Sequence, residues 1–540
     1  MIWLVQDFDL LSVILRALAL SLEALTVGGV IVLLFVAPGE NEEPAARSAV
    51  RKFISWFALV LAIVQASAAA ESILMLAAGG SDFALRDVIS ASFFRADCLL
   101  SAGALALFFF ARWGRDWAAR IAAAVIVAAS IALSHAASRV DDRPLLLVLT
   151  AVHHLGAAAW IGGLASLLVA IRWIQEPRNI HPMAERFSRL AMVSVAALAL
   201  AGLGMAWFFI GSWTALVGTS YGLMLLAKAY LLLLALGLGA SNFWLIRSTR
   251  SDPAPTLMRL RRFSEVEIGF GFTALLAAAS ITSQAPAIDL TPQDILTGHQ
   301  IVVRMSPKPP VLHSPKYSDL PKPPDLKWHL EDASYSGGRV NDAMNRKWSE
   351  YNHQWSGLIV LMAGLLALVS RFRGQRWAKN WPLLFIGLAI FIILRADADT
   401  WPLGPRSFWA SFSEVDVLEH RIFALLITCF AVFEWAVETG RLKSDKAALV
   451  FPALCAIGGA LLITHTHATS NIKDEVFAEM SHTPIALLGA TAGWGRWLEL
   501  RGLKDESPSD EKPAAIRIAT WIWPICLILV GLILLDYRES

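Results

Sequence analysis

The histidines are the residues of this 540-residue chain whose type and spacing suggest chemistry. Those near apolar segments include His135 in "LSHAAS", His153 and His154 in "VHHLG", His420 in "LEHRIF", His465 and His467 in "THTHATS", and His482 in "MSHTP". Imidazole nitrogens bind transition metals, and two facing imidazoles can hold the iron of a b-type haem. The same residues could also simply end helices in water, so the elements that carry them must distinguish these possibilities.

The composition places these elements in a membrane. The chain is 56% hydrophobic and 17% charged, it contains 21 tryptophans, and runs of 18 or more mostly apolar residues recur along its length. The net charge of +2 does not suggest a nucleic-acid partner. We therefore expect the protein to contact the lipid bilayer and to bind no nucleic acid. The N-terminal "MIWLVQDFDL" lacks the basic region of a signal peptide, and the four cysteines form no CxxC pair. We therefore predict an all-α polytopic transmembrane helical bundle.

About fourteen spans are predicted, in an eight-span half and a six-span half. They lie near residues 10–37, 53–79, 92–111, 118–136, 145–171, 187–211, 220–246, 264–287, 354–371, 380–395, 418–439, 447–465, 482–500 and 516–536. Arginine and lysine are concentrated in alternate loops, and the positive-inside rule places these loops in the cytoplasm. This orientation predicts a multi-pass protein with both termini on the outer side of the membrane.

The long connection between the two halves is rich in proline and lysine, as in "SPKPPVLHSPKYSDLPKPPDLKW". Because this connection falls on the outer side, we predict three parts. Residues 1–287 form an eight-span transmembrane domain, residues 288–352 form a periplasmic Pro-rich linker, and residues 353–540 form a six-span transmembrane domain.

The predicted topology places eleven of the twelve histidines at or beyond the outer face. Each half closes an outgoing helix on histidine and begins the returning helix with another, so the halves resemble distant copies. This predicts that His135 meets His153 or His154, and that His465 or His467 meets His482. Residues one or two positions apart on a helix diverge by about 100° or 200°, so only one member of each close pair can face a shared centre.

Charged and sulfur-containing residues also interrupt the predicted spans. Glu23, Glu71, Asp97 and Glu434 lie within apolar segments, where a charge marks an ion path, a bundle interior or a structural ion pair. Methionines near the outer side could supply thioethers to Cu(I) or fill the core; these are Met75, Met205, Met224 and Met480.

A resemblance to a known family follows from several of these stretches. "LSHAAS", "HHLGAAAWIGGLASLLVAIR", "RFSRLAMVSVAALALAGLGMAWF" and "YGLMLLAKAYLLLLALGLGASNFWLI" occur in an order and spacing that resemble the copper resistance protein D (CopD) family over residues 10–287. The six-span half, with "EHRIFALL" and "GWGRWLELR", resembles the extended C-terminal parts of some CopD-like proteins. The resemblance implies copper handling in the inner membrane alongside a periplasmic copper-binding protein.

Two functions remain open at this point. The first is an inner-membrane copper transport or copper resistance protein with metal ligands among His135, His153, His154, His420, His465, His467 and His482. The second is a redox protein with haem b held by His135 with His154 and by His465 with His482, in which Arg139 and Arg143 pair with the propionates. The first function is not enzymatic, whereas haem would make the protein an oxidoreductase. A scaffold without catalytic function is a third possibility, and no hydrolase motif is present.

Overall fold

A computed structural model describes residues 8–78, 85–248, 253–316, 342–398, 400–404, 406–413, 415–463, 472–502 and 514–538. The fold over these residues is all-α, which confirms the predicted fold class. The α-helices, in chain order, are α1 Phe8–Phe35, α2 Pro44–Ala78, α3 Leu85–Ser90, α4 Ser92–Arg112, α5 Asp116–Ala132, α6 His135–Ser138, α7 Arg143–Ala157, α8 Gly163–Arg172, α9 Ile180–Ile210, α10 Trp213–Gly218, α11 Ser220–Ser248, α12 Pro253–Thr282, α13 Gly298–Met305, α14 Asp342–Val369, α15 Leu383–Arg395, α16 Val415–Glu438, α17 Val450–Leu462, α18 Ile472–Gly502 and α19 Ala514–Leu535.

Among these residues, eleven helices are long and apolar enough to cross a membrane, and the chain is a multi-pass membrane protein. Three of the fourteen predicted spans are not among the eleven. The one near 118–136 is the 17-residue α5, the one near 447–465 is the 13-residue α17, and the one near 482–500 is part of the 31-residue α18, which carries several charges. The count of fourteen therefore stays a prediction.

The chain forms two compact units. The first consists of Met1–Leu216 with Met224–Leu290, and the second consists of Val217–Leu223 with Thr291–Ser540. The functional division at residues 287 and 353 stays a prediction.

The helices of the first unit pack through small and branched side chains. This is expected in a membrane, because lipid provides no hydrophobic driving force for the association of helices. Val32 of α1, Leu61 of α2, Leu107 of α4 and Ile126 of α5 are all fully buried in one cluster. At one end of these helices, Asp116 accepts hydrogen bonds from Arg47 at 2.8 Å and from Arg51 at 2.9 Å. These ion pairs fix α5 against α2.

Glu43, just before α2, holds the segment that leads into α9. Its carboxylate accepts hydrogen bonds from the backbone N–H groups of Gln175 at 2.9 Å and Glu176 at 3.0 Å, and from Asn179 Nδ2 at 3.0 Å. Burial acts to raise the pKa of Glu43, but these three donors outweigh it and hold the pKa below its ordinary value. The start of α9 is thereby fixed relative to α2.

The second unit is built around large aromatic side chains and one buried charge network. Trp381, Phe451 and Trp523 are almost fully buried and contact one another edge to face or tilted. Beside them, Arg496 donates to Glu434 and Glu438 at 2.7 Å each, and to Glu499 at 2.6 Å. Arg371 also donates to Glu499, at 2.9 Å. Of the roles considered for mid-span Glu434, the structure therefore favours the structural ion pair.

Candidate functional site

A buried carboxylate, hydroxyl and imidazole meet inside the first unit. Glu23 of α1 accepts a hydrogen bond from Ser130 Oγ of α5 at 2.7 Å. His154 Nδ1 of α7 lies 3.4 Å from Glu23 Oε1 and 3.4 Å from Ser130 Oγ. The side chains of Glu23 and His154 are 7% and 18% exposed, so this triad is largely removed from the surface.

The position of the triad differs from the position expected from the sequence. The sequence analysis placed His154 at the beginning of its span, whereas α7 begins at Arg143. A helix rises about 1.5 Å per residue, so His154 lies about 16 Å along it. Glu23 is likewise well inside α1, and the triad belongs to the interior of the helix bundle.

The hydrogen bonds determine which nitrogen of His154 carries the proton. The hydroxyl proton of Ser130 points to Glu23, so the serine oxygen can only accept a hydrogen bond from the imidazole. Glu23 Oε1 can also only accept when it is ionised. With Glu23 ionised, both contacts are satisfied when Nδ1 of His154 carries the proton, which leaves the lone pair of the neutral ring on Nε2. A carboxylate that orients an imidazole through its second nitrogen is the usual arrangement behind a metal-binding histidine.

Close helix packing sets the distance between Glu23 and His154. A single π-helical turn, Ala158–Gly162, follows α7 and packs against α1. A Cβ atom on Gly162 would overlap the carbonyl oxygen of Ala24, and one on Gly28 would overlap the carbonyl oxygen of Ala158. Only glycine allows this approach of the two backbones, and π turns inside α-helices are frequent at functional sites.

A second buried carboxylate anchors the same π turn. Trp160 Nε1 donates to Glu267 Oε1 of α12 at 2.7 Å, and Asn242 Nδ2 of α11 donates to Glu267 Oε2 at 3.0 Å. Glu267 is 5% exposed and Trp160 is 5% exposed. This contact connects α11 and α12 to the turn that supports His154.

A thioether lies one helical turn from His154. Thr150 precedes His154 by four residues, so both side chains lie on one face of α7. The sulfur of Met205, on α9, lies 3.4 Å from Thr150 Oγ1. Thioether sulfur and imidazole nitrogen are both ligands that suit Cu(I). Met205, one of the four methionines named from the sequence, is thus placed beside Thr150, one helical turn from His154.

The other two histidines of the first half contact different elements. His153 Nδ1 lies 3.1 Å from the carbonyl oxygen of Leu198, on α9. His135 Nε2 lies 3.3 Å from the carbonyl oxygen of Ile281, on α12. A carbonyl only accepts, so the lone pair of each neutral ring is on Nε2 in His153 and on Nδ1 in His135. A shared site of His135 with His153 or His154 stays a prediction.

Asp97 is a further polar group of the first unit. Gln65 Nε2 of α2 donates to Asp97 Oδ1 of α4 at 2.5 Å, and the positive charge of Arg16 on α1 is close enough to interact with both Asp97 and Glu23. Buried charges of opposite sign offset part of the cost of removing them from water.

Arg139, considered for a haem propionate, instead pairs with Asp289 at 2.5 Å.

In the second unit, His420 and His482 occupy separate surroundings. His420 Nδ1 lies 2.8 Å from Asp397 Oδ1, which forms a carboxylate–imidazole pair. The ring of His482 is 6.0 Å from the ring of His353. His465 and His467 lie outside the described residues, so their pairing with His482 stays a prediction.

Within the described residues, no three His, Cys, Asp or Glu side chains come together as a ready metal cage. Sequence reasoning missed Ser130, Trp160, Glu267 and Asp397. Glu267 and Asp397 carry a weak signal, because each is acidic near an apolar helix, whereas a serine such as Ser130 is unremarkable among the small residues of an alanine-rich helix.

Comparisons with known proteins match parts of the chain. Residues 181–281, which cover α9 to α12 with Met205 and Glu267, match the family model of copper resistance protein D. The copper transport protein CutJ of Bacillus subtilis (strain 168) is 28% identical over 183 residues, which are 32% of this chain and 33% of that protein. The alignment thus spans only one third of that relative's length. No solved structure matches the chain.

Proposed function

We propose that this copper resistance protein D (CopD) family membrane protein binds copper at His154 inside its first unit and carries it across the membrane. The observation that supports this most directly is the buried carboxylate–serine–imidazole triad, which orients Nε2 of His154 as a metal ligand. The relative named a copper transport protein supports copper as the cargo.

The chemistry of the triad suits a cation inside a bundle. A positive ion is costly in a medium of low dielectric constant unless a negative group compensates it. Glu23 supplies that charge within hydrogen-bond range of His154, while Met205 lies beside Thr150 one turn away. Copper would thus move between an imidazole nitrogen and a thioether sulfur. A transported ion can dissociate from both of these ligands.

We further propose that copper enters from the periplasmic side, delivered by a periplasmic copper-binding protein. This proposal follows from the outward orientation of the histidine-bearing helix ends that the positive-inside rule predicts. It places both termini and residues 288–352 in the periplasm of the bacterial inner membrane.

Metal analysis and a visible spectrum of the purified full-length protein test the cargo. We expect a colourless Cu(I) form with at least one copper per chain after anaerobic loading. A Soret band with iron would instead support the alternative b-type haem protein, and a chain with neither copper nor haem would contradict both.

Replacing Glu23 with glutamine should weaken Cu(I) binding by about 10- to 100-fold, the usual loss when the partner of a metal-binding imidazole is changed. The amide keeps the volume but removes the charge that offsets the cation. Competition with a chromophoric Cu(I) chelator measures the change. Glu185, which is half-exposed on α9, provides the control as Glu185→Gln. Equal affinities of Glu23→Gln and wild type would contradict a role for Glu23 in the copper site.

Cysteines introduced at Ser306 and Ser314, both exposed, should react with a membrane-impermeant maleimide in intact cells. A cysteine at Gln375, in the arginine-rich loop after α14, should react only after the membrane is permeabilised. The background is a variant without the four native cysteines. Labelling in the reverse pattern would overturn the proposed orientation.

A further inference from the structure

The charge network of the second unit contains more acidic than basic groups. Its members are Arg371, Glu434, Glu438, Arg496 and Glu499, and their side chains are at most 15% exposed. Counted over the described residues, three carboxyl groups face two guanidinium groups, so one negative charge stays uncompensated if all five are ionised. A buried charge without a partner is costly. A single proton on one carboxyl group would remove that cost.

Glu499 of α18 is the carboxyl group with the most donors. It accepts hydrogen bonds from Arg371 Nη1 at 2.9 Å, from Arg496 Nη1 at 2.6 Å and from Trp523 Nε1 at 2.9 Å. Two of these donors carry a positive charge, and hydrogen bonds to a carboxylate stabilise its ionised form. Glu499 is therefore ionised and does not hold the proton.

Glu438, at the end of α16, also lies between the two arginines. Its Oε1 atom accepts a hydrogen bond from Arg496 Nη2 at 2.7 Å and lies 3.9 Å from Arg371 Nη2. Its side chain is 9% exposed, more than those of Glu434 and Glu499, at 0% and 1%. Two positive charges and some contact with the surroundings favour the ionised form of Glu438 as well.

Glu434, one helical turn before Glu438, has the least support for a charge. Its Oε1 atom accepts one hydrogen bond, from Arg496 Nη2 at 2.7 Å, while Oε2 has no hydrogen-bond partner among the described residues. A proton on Oε2 makes the group neutral and leaves Oε1 free to accept from Arg496. A buried neutral O–H without a partner is unfavourable, but far less so than an uncompensated charge.

The other helix beside Glu434 brings no positive charge. Cys455 of α17 is close enough to Glu434 to interact with it electrostatically, and a thiol is neutral at pH 7. The groups that face Glu434 are thus this thiol, Glu438 on its own helix, Arg496 and Glu499 on α18, and Arg371 after α14. The uncompensated charge of the network therefore stays without a further cation in the described part of the chain.

The geometry suits a proton better than a metal ion. Cations such as Mg²⁺ and Ca²⁺ need six or more oxygen ligands, whereas Oε2 of Glu434 is the one oxygen of its carboxyl group without a donor. The guanidinium group of Arg496 also repels a metal ion at this position. A proton needs only one oxygen, and it leaves the hydrogen bonds of the network in place.

We propose that Glu434 is a proton-binding site, through which the second unit takes up and releases one proton. The Oε2–H bond forms on uptake and breaks on release, and Oε1 keeps its structural contact with Arg496 in both states. Glu438 shares Arg496 Nη2 with Glu434 and is the more exposed, so it offers the proton a path. Buried carboxyl groups of this kind form proton relays in membrane transporters. The use of the proton in copper transport rests on the proposed function, whereas proton binding rests on the charge network alone.

Infrared spectroscopy of the copper-free, full-length protein at pH 7 tests the proposal independently of any copper site. We expect the carbonyl stretching band of a protonated carboxylic acid to be present in wild type, to weaken in Glu434→Gln by the share of one group, and to shift in D₂O. Glu185→Gln, at a half-exposed position of α9, should keep the wild-type band. A band of equal intensity in wild type and Glu434→Gln would overturn the proposal, and so would a Glu434 band that does not shift in D₂O.

Thermal unfolding of two matched variants gives a second readout. Glutamine has the shape and charge of a protonated glutamate, so Glu434→Gln should keep a midpoint close to wild type at pH 7. Glu438→Gln, on the same helix and beside the same nitrogen of Arg496, replaces an ionised group and should unfold at a lower temperature. An equal fall of the midpoint in both variants would show that Glu434 is ionised and would contradict proton binding there.

Discussion

Replacing His154 with alanine is expected to lower the affinity of the first unit for Cu(I) by more than 100-fold and to abolish copper transport. The reason is that the variant removes the proposed direct ligand, and even changes to groups behind a ligand cost about 10- to 100-fold. It also leaves Glu23 buried beside Ser130 without its imidazole neighbour. Cu(I) competition and copper flux into proteoliposomes measure the two effects.

A matched histidine provides the control for this prediction. His181 is partly exposed and lies 3.9 Å from Glu185, away from the triad. His181→Ala should therefore keep wild-type affinity and flux. If His154→Ala transports copper at the wild-type rate, His154 is not on the copper path, whatever its effect on stability.

The second large effect is expected for Gly162→Ala. The added Cβ would overlap the backbone carbonyl of Ala24, and neither backbone can rotate away as a side chain could. Overpacking typically costs about 1–3 kcal/mol, and a clash between two backbones should reach or exceed the upper value. The thermal midpoint in detergent should fall, and Cu(I) affinity should fall with it because α1 and the π turn hold Glu23 and His154 together.

Gly237 in α11 supplies the comparison. A Cβ at this position meets no atom within 4 Å, so Gly237→Ala should leave copper binding unchanged and stabilise the helix by about 0.5–1 kcal/mol. A Gly162→Ala variant with both wild-type stability and wild-type copper affinity would contradict the role of this helix crossing.

Several features of the site were within reach of sequence reasoning. Glu23 and His154 were both identified from the sequence. The first is an acidic residue within an apolar segment, and the second is a histidine near a predicted helix end. Their contact was not predicted, since 131 residues separate them and nothing local determines which face of each helix turns inward. His153 and His154 could be distinguished only after packing placed one ring against Glu23 and the other against Leu198.

The sequence by itself indicated that this chain is an all-α membrane protein and showed its resemblance to the CopD family. Long apolar runs must form helices in lipid, because every backbone polar group needs an internal partner, and these runs are visible without a structure. Only the tertiary structure decided that Glu23, Ser130 and His154 form one site and that His353 approaches His482. The contact between Glu23 and His154 depends on small residues such as Gly28 and Gly162, which let their helices approach closely. The spacing of residues along the chain does not determine this three-dimensional packing.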